Sequence, residues 1–134
     1  MISFAALKLL AISFLYLATF GLAALEKFRG GGVPEWFEKQ FAATFLPKLP
    51  GGLTAAYFTI AILEGVIALL VLTSLVRLEF FETAPLFLTW ALHLALFAFA
   101  MLGFGLRLAG DYIGTANLFF YFGATLVAIQ ALGA

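Results

Sequence analysis

Residues 54–75 read TAAYFTIAILEGVIALLVLTSL, an apolar run with one charge, Glu64. A helix on the surface of a soluble domain carries an apolar stripe and a polar face, whereas this run is apolar all round. About 20 such residues at 1.5 Å each cross the hydrocarbon core of a bilayer. Three further stretches have the same character, at about 3–25, 85–106 and 112–132. A lone strand would leave backbone groups unpaired in lipid, so all four read as helices. The first resembles a secretory leader in carrying Lys8 ahead of its apolar run. Its run exceeds an h-region of about 7–15 residues, and Phe20 to Leu25 make a poor cleavage site, so it is expected to stay as a span.

Composition agrees. Of 134 residues, 65% are apolar and 10% charged, against about 45–50% and about 25% in soluble domains. Seven acids balance seven bases, and no basic tract suits nucleic acid, which excludes it as a partner. The absence of cysteine removes thiol relays, iron–sulfur clusters and thiolate metal sites. No Walker loop, nucleophile elbow or metal-ligand spacing occurs, so no metal site and no intrinsic cofactor are expected.

The one long connection is residues 26–53. Gly30-Gly31-Gly32 breaks the chain, Pro34 suits the first turn of a new helix, and Pro47, Pro50, Gly51 and Gly52 stop it. The pattern predicts a helix over 34–46 with Trp36, Phe37, Phe41 and Phe45 on one side and Glu35, Glu38, Lys39 and Gln40 on the other. Such a helix lies in the membrane interface or docks on a partner, the alternative being a lid folded over the bundle. The connections at 76–84 and 107–111 are short, which makes neighbouring spans antiparallel. The expected fold is an all-α, four-transmembrane-helix up-down-up-down bundle in one membrane domain, 1–134. Basic residues near span ends (Lys27, Arg29, Lys39, Lys48 and Arg107 against Lys8 and Arg77) place both termini away from the cytoplasm.

Polar residues inside spans are the informative ones. Glu64 is central in its span and, on the stripe Tyr57, Ala61, Glu64, Ala68, should face the bundle; Ala61, Gly65 and Ala68 allow close helix approach. His93 is the one histidine. Folding the second and third spans about residue 80 leaves Glu64 sixteen residues and His93 thirteen from the turn, a depth difference of about 4–5 Å. The two are therefore expected to meet. They would handle protons, bind a quinone head group, or offer His93 to a haem or chlorophyll; the alternative is a structural hydrogen bond that fixes helix register. Stripes on the outer spans, Ser13, Tyr16, Phe20, Ala23, Lys27 and Asn117, Tyr121, Ala124, Ala128, also read as interior faces. At one membrane face Glu26, Lys27, Arg107 and Asp111 form an expected charge cluster. It would be an anionic head-group site held by Lys27 and Arg107, or a salt-bridge network closing the bundle. No catalytic residue is identified.

The segments Gly21-Leu22-Ala23-Ala24-Leu25-Glu26-Lys27-Phe28, Pro34 to Phe41, Ile62-Leu63-Glu64-Gly65, and Gly110-Asp111-Tyr112 through Asn117 to Tyr121 together resemble the DoxX-like four-helix membrane proteins. That resemblance implies a small protein of the bacterial or archaeal inner membrane, in some members linked to quinone reduction or to a membrane redox complex. The long aromatic loop departs from shorter members. The expected function is an accessory, non-catalytic subunit of a respiratory or photosynthetic electron-transfer complex, contacting lipid and quinone or pigment, with other membrane subunits or further copies of itself as partners. The competing expectation is an autonomous transporter or quinone-reactive oxidoreductase built around Glu64 and His93.

Overall fold

The computed structural model describes residues 2–133. It contains α1 (Phe4–Arg29), α2 (Glu35–Phe41), α3 (Gly52–Val76), α4 (Leu86–Leu108) and α5 (Tyr112–Ala131), with 3-10 turns at Leu46–Lys48 and Glu79–Phe81. Four of these, α1, α3, α4 and α5, are long and apolar enough to cross a membrane. The chain is thus an all-α membrane protein with four candidate spans and a short helix between the first two.

The spans pack in chain order, α1 on α3, α3 on α4 and α4 on α5. Small residues set the α1–α3 distance. A methyl added at Gly21 would stand 3.8 Å from Ala68 Cβ, and one at Gly65 would stand 3.9 Å from Ala24 Cβ. The expected small surface on α3 therefore faces α1, and the antiparallel register it sets brings Lys27 within a turn of Glu64. The common core is built from Phe20, Ile67, Val71, Leu88, Leu92 and Ala95, each almost wholly buried. α5 is peripheral: 11% of its span is buried, against 33% for α3 and α4.

Helix ends explain where the observed bounds differ from expectation. Ser3 caps α1, its hydroxyl accepting from Ala6 N at 3.1 Å. At the other end α1 runs through Glu26-Lys27-Phe28-Arg29 instead of stopping near 25; Lys27 and Arg29 in the last turn complement the negative end of the helix dipole. α2 is seven residues long and ends at Phe41, not near 46. There the Thr44 hydroxyl donates to Phe41 O at 2.7 Å and accepts from Leu46 N at 3.3 Å, a side-chain bond that competes with helix continuation. α3 begins after Gly51 at φ 82°, where a Cβ would also meet Ala55 Cβ at 2.5 Å; glycine alone suits that corner.

Candidate functional site

Three polar constellations stand out, two within the spans and one at the turn before α4. The first is an ion pair between α1 and α3. Lys27 Nζ lies 2.8 Å from Glu64 Oε1, with side chains 21% and 6% exposed. Glu64 is on the buried stripe Tyr57, Ala61, Glu64, Ile67, Val71, Ser74, and no other hydrogen bond reaches its Oε1 among the described residues. Lys27 Nζ also stands 5.9 Å from the centre of the Tyr57 ring. Phe37 of α2 packs edge-on against Tyr57 at 5.1 Å and against Phe41 at 4.8 Å. Phe41 in turn is buried beside Gly105. The aromatic residues of this segment are therefore divided: Phe37 packs inward on Tyr57 and Phe41 beside Gly105, while Trp36 and, beyond the end of α2, Phe45 stay exposed.

His93 is not part of this site. The buried face of α4 is Leu88, Ala91, Leu92, Ala95, Ala98 and Phe99, and His93 sits roughly 160° around the helix from its centre at 3.6 residues per turn. It is exposed beside Trp90 and Phe97, and its Nδ1 is 2.8 Å from Thr89 O. The expected meeting of Glu64 and His93 thus does not occur, because His93 leaves α4 on the exposed face.

The expected charge cluster also resolves into separate parts. Lys27 turns inward to Glu64, and Glu26 is exposed. Asp111 caps α5, its Oδ1 accepting from Gly114 N at 2.8 Å. Arg107 lies over the Tyr112 ring, 4.7 Å from its centre. Although Arg107 and Asp111 are four apart, α4 ends at Leu108 and Gly110 takes φ 78°, so helical i,i+4 spacing does not apply to them.

The second polar place joins α1 to α5. Tyr16 Oη and Thr125 Oγ1 are 2.8 Å apart, and Thr125 spends its own proton on Tyr121 O at 2.8 Å, so Tyr16 is the donor. Tyr16, Phe20, Phe99 and Tyr121 form a chain of rings with successive centres 6.2, 5.3 and 5.7 Å apart, crossing α1, α4 and α5. The third was not expected from sequence. Glu79, 2% exposed, accepts from Phe87 N through both oxygens and from Leu88 N through Oε1, all at 3.1 Å. Pro85 occupies the N-cap position of α4 and has no capping side chain; Glu79 reaches back to supply one. A left-handed residue, Leu78 at φ 58°, turns the chain so that it can.

On the outside, α5 shows a face opposite in sense to the expected one. Ala128 is buried, but Asn117, Tyr121 and Ala124 are exposed. The interior of α5 is instead Leu118, Thr125, Ala128 and Ile129. Between α4 and α5 opens a cleft of about 600 Å³ with an almost wholly apolar lining, Arg107 and Tyr112 standing on its wall.

Comparison with protein-family models, with curated proteins and with solved structures finds no match. What is established is a four-helix membrane protein.

Proposed function

We propose that the chain is an accessory, non-catalytic subunit of a larger membrane complex, in the DoxX-like manner, and that the complex carries electrons through quinone or pigment. One observation carries the subunit reading. Asn117 and Tyr121, one and a half and two and a half turns into α5, are exposed together with Ala124. A polar side chain facing hydrocarbon loses its hydrogen bonds to water, whereas a face that combines small and polar residues is what packs a helix against another in a membrane. His93 adds to this: its Nδ1 is held by Thr89, and Nε2 is left free on the outer surface of α4, where a partner's donor, a quinone or a haem or chlorophyll would meet it. The oxidoreductase or transporter alternative drew on a joint Glu64–His93 site, which the geometry separates. The redox setting, and the bacterial inner membrane as its place, draw on the resemblance set out above.

Purification in mild detergent from native membranes tests the proposal. Co-purification with a subunit bearing haem, flavin, chlorophyll or quinone, lost in an Asn117→Leu, Tyr121→Leu double variant, is the expected result. A protein that runs alone, or with copies of itself only, overturns the accessory-subunit reading.

A further inference from the structure

We infer that the cleft between α4 and α5 is a binding site for one anionic phospholipid. Small side chains line the space, Ala100 and Gly103 from α4 and Ala116 from α5, with Phe99 and Phe119 as apolar walls. From Phe99 to Arg107 the α4 wall runs about 12 Å, a length that takes part of an acyl chain aligned with the spans.

Charge identifies the head group. Arg107 has no carboxylate within 4 Å among the described residues, whose ion pairs are Lys27–Glu64 and Lys39–Glu35. Asp111, the acid nearest in sequence, is committed to Gly114 N. The guanidinium rests on the Tyr112 ring, which holds its plane in place while leaving N–H donors for an acceptor. A planar fork of donors matches a phosphate. A neutral quinone would fill the apolar part and leave the charge uncompensated. Arg107 is the one cation among the residues lining the cleft, and Lys27 is engaged by Glu64, so the head-group site is Arg107's.

This inference is independent of the accessory-subunit reading, since a lipid would occupy the cleft whether or not α5 meets a partner. The test is native mass spectrometry of the purified full chain after exchange into micelles containing phosphatidylglycerol, phosphatidylethanolamine or a neutral isoprenoid quinone. One phosphatidylglycerol should be retained at least about tenfold better than phosphatidylethanolamine. Arg107→Gln should abolish that preference, and Ala116→Phe, which fills the cleft, should remove retention of either lipid. Helix content by circular dichroism identifies a variant that has not folded, and the wild-type preference stands as evidence without either variant. Equal retention of the two phospholipids, preferential retention of the quinone, or a preference for phosphatidylglycerol that survives Arg107→Gln in a folded protein overturns the inference.

Discussion

Removing either partner of the Lys27–Glu64 pair should have unequal effects, because the two side chains differ in their access to water. Lys27 is in the last turn of α1 with its side chain 21% exposed, while that of Glu64 is 6% exposed at the centre of α3. In Lys27→Met the buried carboxylate is stranded without its counter-charge. Stranding a buried charge costs about 3–5 kcal/mol, and the partial exposure of this pair places the expected loss near the lower end, about 3 kcal/mol. In Glu64→Gln the amide oxygen still accepts from Lys27, and the flexible stem can carry the ammonium to the membrane face. The expected loss there is about 1 kcal/mol. The double variant Lys27→Met, Glu64→Leu removes both charges and keeps apolar volume, and should recover to within about 1 kcal/mol of the natural protein. Reversible unfolding in mixed micelles, read by circular dichroism, gives all three values and the coupling between the sites. Equal losses for the two single variants, or a double variant no better than Lys27→Met, would refute the burial asymmetry on which the argument rests.

Other parts of the bundle yield further expectations. Glu79→Ala uncovers two backbone donors at the start of α4 and should destabilise by about 2 kcal/mol, with Glu79→Gln costing less, because the amide oxygen still accepts while the charge favoured at a helix N-terminus is gone; hydrogen exchange at Phe87 and Leu88 should rise in both. Thr125→Val strands the buried Tyr16 hydroxyl and should cost about 1–2 kcal/mol, more than Tyr16→Phe at about 0.6 kcal/mol, by the same unfolding assay. Gly65→Ala should be close to neutral, since its methyl meets Ala24 at 3.9 Å, whereas Gly65→Leu should push α1 from α3 and cost about 1–3 kcal/mol, seen as a lowered midpoint.

The spans were legible because a bilayer demands about 20 apolar residues with their backbone paired internally, and nothing else in 134 residues competes with that demand. The inner face of α3 was legible too. Glu64 is a charge that lipid rejects, and the small residues beside it lie on the same side. For α4 and α5 that contrast fails: lipid and protein interior are both apolar, so periodicity marks faces without saying which is inside. His93 was placed on the wrong side for this reason, and the Asn117, Tyr121, Ala124 stripe was turned inward when it faces out. Lys27 carries two signals, a place on the interior stripe Ser13, Tyr16, Phe20, Ala23, Lys27 and a place at the membrane face where apolarity stops near Leu25; the stripe is the one that takes it to Glu64. Glu79 offered no local signal, since a cap reaching back eight residues across a left-handed turn belongs to no short motif.

Site-directed photocrosslinking in native membranes tests the central claim most directly. A photoreactive residue at Ala124, on the outer face of α5, is compared with one at Phe14, an exposed apolar position on α1. A discrete adduct from Ala124 to a membrane subunit of an electron-transfer complex, and lipid adducts alone from Phe14, are the expected result. Lipid adducts alone at both positions would contradict the claim.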